Sequence, residues 1–270
     1  MKLVYFGDVV GRAARDALMQ AMPELRRKLS LDFLIVNGEN AAGGFGITDK
    51  ICKEFYAAGA DVITTGNHVW DQKETLGTIG ADPKLLRPAN FPPQTPGAGS
   101  GLYTTTRGKK VFVIQVMGRI FMEPLDCPFA AVDQALSRYR LGGNADVVIV
   151  DIHAEATSEK MAMGHFCDGR ASMVVGSHSH VPTADAQVLP GGTAYQTDAG
   201  MCGDYNSVIG MDKEQPLQRF VRKIPTGKFE AAQGEPTLCG VYLETDEKSG
   251  LAKTIAPLRM GGRLAPVWPV

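Results

Sequence analysis

The 270-residue sequence predicts an α/β fold, with a parallel sheet and crossover helices in the first part and a β-rich tail. Three observations lead there. Short apolar runs at 2–6, 33–36 and 61–64 have strand length, and each ends in a polar cluster. The segments between the runs place apolar residues at helical spacing. From residue 194 onward the chain reads as a series of short strands.

Residues 2–6 form the first strand, stopped by Gly7-Asp8. Over 13–29, Ala14, Ala17, Leu18, Ala21, Leu25 and Leu29 make one helical face, with Pro23 a potential kink or break. The second strand, 33–36, ends at Asn37-Gly38-Glu39-Asn40. Thr48 is placed to cap a helix running to Ala58, with Asp49 favourable in its first turn. The third strand, 61–64, ends at Gly66-Asn67-His68. Residues 88–108 are rich in Pro, Gly, Ser and Thr and read as loop, with a short strand near 102–105. A strand at 111–116, a helix at 129–141 and a strand at 146–150 follow, the last running into Asp151-Ile152-His153. A strand at 173–175 ends at Gly176-Ser177-His178-Ser179-His180. Further strands are expected at 194–197, 217–224, 238–244 and 254–259. No repeat or linker divides the chain, so residues 1–270 are read as one domain.

Lys+Arg total 28 and Asp+Glu 29, a net charge of -1, which gives no bulk electrostatic case for nucleic acid or an anionic membrane. The apolar runs fall far short of the ~20 residues of a spanning helix, and the N-terminus lacks the features of a secretory leader. Five scattered cysteines, Cys52, Cys127, Cys167, Cys202 and Cys239, form no disulfide or zinc pattern, so a reducing, cytoplasmic setting is expected. There is no Gly-Lys-Ser/Thr phosphate loop and no Gly-x-Ser-x-Gly nucleophile elbow.

The chemistry lies at the strand ends. Open α/β sheets form sites beyond the carboxyl ends of their strands. There the sequence puts Asp8, Glu39, Asn40, Asn67, His68, His153, His178 and His180. Each alone also fits an ordinary turn, cap or buried histidine. Jointly they are a mixed nitrogen and oxygen donor set suited to transition metals. A carboxylate able to bridge favours two ions, which can clamp a phosphate and activate a water.

Gly7-Asp8, Gly38-Glu39-Asn40, Gly66-Asn67-His68, His153 and Gly176-Ser177-His178-Ser179-His180 occur in the order of the calcineurin-like metallophosphoesterase motifs. More closely, the chain resembles the YmdB-like family within that superfamily. The stretches GDVVGRAAR (7–15), NGENAAGGFGI (37–47), TGNHVWD (65–71), DIHAEATSEK (151–160), GSHSHVPTAD (176–185) and TDAGMCG (197–203) carry the likeness. Against the wider superfamily, Val10 replaces a first-motif histidine, and Glu39 replaces the bridging aspartate.

The resemblance implies a four-layer α/β/β/α sandwich of the metallo-dependent phosphatase type. It implies a dinuclear phosphodiesterase acting on 2′,3′-cyclic nucleotides, with 3′-nucleotides as products. Asp8, Asn40 and His180 would hold one ion, Glu39 would bridge, and Asn67, His153 and His178 would hold the other. The ions would be divalent, iron or manganese. His68 would protonate the leaving oxygen, with Asp71 a candidate orienter. Asp151, Glu155 and Asp198 are candidate supports for the ligand rings. Partners would be small nucleotides or RNA ends, not membranes, and assembly into homo-oligomers is left open. Rival readings are a phosphomonoesterase or protein phosphatase, and a regulatory metal- and nucleotide-binding protein with little turnover. Substrate-binding residues are not assigned, Gly43-Gly44-Phe45-Gly46 being only a weak phosphate-loop signal. His165 is read as structural, and Cys167 and Cys202 as buried fillers.

Overall fold

The computed structural model describes residues 1–224 and 227–269. Its first part contains β1 (Lys2–Phe6), β2 (Asp8–Val9), α1 (Gly11–Leu29), β3 (Phe33–Asn37), α2 (Asp49–Ala58), β4 (Val62–Thr64), α3 (Thr75–Thr78) and β5 (Leu85–Leu86). The middle adds β6 (Ser100–Thr104), β7 (Lys110–Met117), α4 (Pro128–Arg138), β8 (Val147–His153), α5 (Thr157–Phe166) and β9 (Met173–Ser177). The tail supplies β10 (Gln187–Val188), β11 (Ala194–Gln196), β12 (Met201–Cys202), α6 (Glu214–Arg222), β13 (Leu238–Thr245) and β14 (Ala252–Met260).

Two six-stranded sheets form, in the orders β14-β13-β1-β3-β4-β5 and β10-β11-β9-β8-β7-β6. The strands β1, β3, β4 and β5 run parallel, and so do β7, β8, β9 and β11. β12 pairs with β2 in a small separate ladder, Met201 opposite Asp8.

Strand periodicity builds four layers. Successive residues of a strand face opposite sides. Leu3, Tyr5, Phe33 and Ile35 therefore meet Val111, Val113, Val147 and Ile149 between the two sheets. Val4, Phe6, Leu34 and Val36 face outward onto Ala14, Leu18 and Met22 of α1 and Ile51 and Phe55 of α2. Phe112, Ile114, Val148 and Val150 do the same on the other side, against Val132 of α4 and Met163 of α5. The result is the α/β/β/α sandwich.

Local chemistry accounts for the helix ends. Thr48 caps α2 by accepting from the Ile51 N–H at 3.3 Å. The α1 helix passes through Pro23 without breaking. The α4 helix stops at Arg138, short of the expected 141.

One element differs in kind. Residues 217–224, expected as a strand, lie in α6 and the turn that ends it. Leu217, Phe220, Val221 and Ile224 are spaced i, i+3, i+4 and i+7, the helical period rather than the strand period. The strands on either side mask that signal.

Candidate metal centre

The parallel strands of both sheets end at one mouth. Asp8 follows β1 on the short β2, Glu39 and Asn40 follow β3, and Asn67 and His68 follow β4. From the other sheet, His153 is the last residue of β8, and His178 and His180 follow β9. Asp8, Glu39, Asn40, His153 and His180 are buried, and Asn67, His68 and His178 are half-buried.

His153 Nε2 is the crowded atom. Asn67 Oδ1 lies 2.8 Å from it, Glu39 Oε2 3.1 Å and His178 Nδ1 3.1 Å. A single ring nitrogen cannot serve all three as hydrogen-bond partners. Glu39, His153 and His178 place one donor atom each within 4.8 Å of one another, and so do Asp8, Glu39 and His180. Glu39 belongs to both groups. The Oδ1 atoms of Asp8 and Asn40 are buried and have no hydrogen-bond partner among the described residues. Bare buried oxygens beside imidazoles suit a divalent cation, and the donor set fits one.

Gly66 makes the convergence possible. A β-carbon there would run into the Glu39 carboxylate and the His153 ring.

The titration pattern is that of an anionic cage. Burial pushes the Asp8 carboxyl up to about 7, against the pull of His180 and His153. Burial would also raise Glu39, but the neighbouring His153 overrides it and holds Glu39 at about 2. Burial draws His153 down, yet Glu39 and Asp8 lift it to about 9. His178 falls to about 3, through burial and then the charge of His153.

On the rim of the cluster, Phe45 packs edge-on against His68, ring centres 5.2 Å apart. His68 is in neither donor group. Its Nδ1 lies 2.8 Å from Asp71 Oδ2. Asp71 sits in a turn, ahead of α3, so its contact is with the imidazole rather than with a helix N-terminus.

A family model described as YmdB-like protein matches residues 4–258. The chain belongs to the YmdB-like family. It is 46% identical over 255 residues to a 2′,3′-cyclic-nucleotide 2′-phosphodiesterase of Bacillus subtilis, covering 94% of this chain and 95% of that protein. A crystal structure of a hypothetical protein from Thermus thermophilus superposes with a TM-score of 0.90 at 42% identity, covering 97% of this chain and 100% of that one. A structure of a phosphatase from Mycoplasma pneumoniae gives 0.89 at 32% identity, covering 97% and 93%.

The groups behind the donors in this YmdB-like chain are only partly visible in its sequence. Asp151 accepts from Ser177 Oγ at 2.9 Å, Tyr5 Oη at 2.7 Å and Gln115 Nε2 at 3.0 Å. Ser177 Oγ, its proton given to Asp151, is 2.9 Å from His153 Nδ1 and accepts there. That fixes a hydrogen on Nδ1, so Nε2, facing Glu39 and Asn67, is the nitrogen that would meet a cation once its own proton is displaced. His180 Nδ1 donates to the Ile209 carbonyl at 2.7 Å, which frees its Nε2 in the same way. Glu155 Oε2 lies 3.1 Å from His178 Nε2. Sequence reasoning misses Ser177, Gln115 and Tyr5. Only Ser177 carries a signal, by standing inside the Gly-Ser-His-Ser-His motif.

Three other expectations have plain outcomes. His165 lies exposed in the last turn of α5, away from the donor cluster. Cys167 and Cys202 are buried, and burial raises both thiols, Cys167 to about 12. No helix among the described residues is long and apolar enough to cross a membrane.

Proposed function

We propose that this protein is a metal-dependent phosphodiesterase that opens 2′,3′-cyclic nucleotides to 3′-nucleotides. The observation that carries the reading is the sharing of Glu39 by two donor groups at the mouth of both sheets. The name of the Bacillus subtilis relative points to the same substrate.

Asp8, Asn40 and His180 would hold one ion, Asn67, His153 and His178 a second, and Glu39 would bridge them. Iron and manganese suit this mixture of imidazole, carboxylate and amide oxygen. Divalent ions there would supply charge neutralisation for the phosphate oxygens and a more acidic water. The chain itself handles the leaving group. His68 lines the cavity above the cluster, and Asp71 occupies its Nδ1. Its Nε2 is then the nitrogen that meets substrate. Water adds its hydroxyl to phosphorus, the P–O2′ bond breaks, His68 gives its proton to the departing 2′ oxygen, and the proton left by the water passes to solvent, from which His68 is reprotonated. General-acid assistance of this kind is worth ~10²–10⁴-fold.

Both sheets contribute donors, which supports treating residues 1–270 as one metallophosphoesterase domain. The five free cysteines support a reducing, cytoplasmic setting.

The test is hydrolysis by protein of known metal content, with 2′,3′-cAMP, 3′,5′-cAMP, bis-p-nitrophenyl phosphate and p-nitrophenyl phosphate side by side. Preference for the 2′,3′-cyclic diester with about two ions per chain is the expected result. Cleavage of the monoester alone would make the protein a phosphatase. Bound metal without turnover on any of the four would make it a regulatory binder.

A further inference from the structure

The α6 helix has no ordinary packing role. Leu217, Phe220 and Val221 of α6 and Ile224 just beyond it are all exposed, and of the helix residues only Pro216 is buried. Arg219 and Phe220 of α6 and the capping Lys223, with Phe229 and Ile209, wall a cavity of about 690 Å³ whose floor includes Glu39, His68, His178 and His180. That volume is within the ~300–1,000 Å³ usual for small-molecule sites.

Two cations stand on this wall. The Arg219 guanidinium is 5.4 Å from the centre of the Phe229 ring, and Lys223 Nζ is 5.9 Å from that of Phe220. Neither is paired with a carboxylate among the described residues, although exposed ion pairs are common elsewhere on the chain. Basic residues near a helix C-terminus suit its dipole. The dipole does not explain why these two line the same cavity as the donor cluster. A 2′,3′-cyclic nucleotide with a free 5′-hydroxyl has one anionic group, and the floor engages it. The cations on the wall have no counterpart on such a substrate. The apolar surface beside them suits the flat face of a base, since base–aromatic stacking tolerates any base.

We infer that Arg219 and Lys223 receive a second phosphate, attached on the 5′ side of the nucleoside whose cyclic phosphate lies over the floor. This rests on the phosphodiester reading of the floor. The second phosphate has two sources, a terminal 5′-phosphate or the internucleotide linkage of an RNA end.

The experiment uses the metal-loaded full chain and three substrates: 2′,3′-cAMP, its 5′-phosphorylated counterpart, and a dinucleotide ending in a 2′,3′-cyclic phosphate. Wild type should favour one or both phosphate-bearing substrates over 2′,3′-cAMP by about tenfold in kcat/KM, mostly through KM. Arg219→Gln and Lys223→Gln should each shrink that ratio. Preference for the dinucleotide alone assigns the internucleotide linkage, and preference for the mononucleotide assigns the terminal phosphate. No preference in wild type, or a preference that survives both substitutions, overturns the inference. If no cyclic substrate turns over, the catalytic reading fails, and calorimetry still tests the cations. A nucleoside 3′,5′-bisphosphate should bind more tightly than the 3′-monophosphate, with the difference reduced in both variants. Equal affinities would again overturn it.

Discussion

Lys160 Nζ lies 2.7 Å from Asp198 Oδ2, with both side chains buried directly behind the His178-Ser179-His180 turn. The same Asp198 oxygen accepts from the Ser179 N–H at 3.0 Å, and its other oxygen accepts from the Gly200 N–H at 2.8 Å. The turn needs such support. His178 and His180 have φ of 96° and 64°, a region that costs a non-glycine residue ~1–3 kcal/mol. The pair therefore holds two imidazoles in place from behind. Lys160→Met leaves Asp198 as an unpaired buried charge and should lower stability by about 3–5 kcal/mol. Thermal unfolding measures that loss. The variant should also bind less metal at equal concentration of folded protein, and unchanged metal content would show the turn to be self-supporting.

Glu39 is shared by both donor groups. Glu39→Ala should empty the whole centre, not half of it, and abolish turnover. Metal analysis of the purified variant is the check. Retention of one ion per chain would disprove the bridging role.

The roles proposed for His68 and Asp71 separate chemistry from metal binding. His68→Ala should keep its metal and lose about 10²–10⁴-fold, chiefly in kcat. Asp71→Asn should lose less, again chiefly in kcat, by freeing the ring to turn away from substrate. If His68→Ala also strips the metal, the imidazole is a ligand and the assignment is wrong.

Gly66 tolerates no side chain, because a β-carbon would enter the space of Glu39 and His153. Gly66→Ala should fold, at a cost of about 1–3 kcal/mol, with its metal lost. Circular dichroism read beside metal analysis distinguishes this from general unfolding. A metal-replete, active Gly66→Ala protein would contradict the geometry.

The metal-free protein should weaken as pH rises. His153, ordinarily near 6.5, is raised to about 9. Its contribution is complete below 6.5 and disappears as pH climbs through 9. Asp8, raised from 3.8 to about 7, acts in the same sense at lower pH. Glu39, lowered to about 2, acts the other way, its contribution lost only as pH falls from 4.5 through 2. Chelator-treated protein should thus lose Tm between about pH 6 and 9. Added divalent metal should reverse the trend, because its ligands must be deprotonated. A Tm of stripped protein that is flat or rising over that range would sink the prediction.

The fold is legible in the sequence wherever one period dominates. Runs such as Phe33–Asn37 are strand-length with both faces buried, and α2 carries its own cap in Thr48. The candidate donors are legible because the chain has only 5 histidines, most of them at strand ends beside Asp, Glu or Asn, where topology gathers them. Contacts between distant segments are not. Tyr5 reaches Asp151 across 146 positions, and nothing in an apolar strand marks its hydroxyl for that contact. The α6 helix escapes notice because its apolar residues are not covered by the core, and a short exposed amphipathic segment amid strands resembles one more strand.

The Tyr5 hydroxyl crosses from one sheet to the other where the apolar middle layer gives way to buried polar groups, and Asn37 Nδ2 also reaches it at 3.4 Å. Its bond to Asp151 leads through Ser177 to His153. The mouth of the sandwich thus depends on alignment between two separate sheets, one bringing the carboxylates and the other most of the imidazoles. A relative slide of the halves by a fraction of a bond length would alter every cross-sheet separation at once. The polar bridge deep in the layer acts as a dowel against that slide, so a substitution far from any ligand can blur the whole centre.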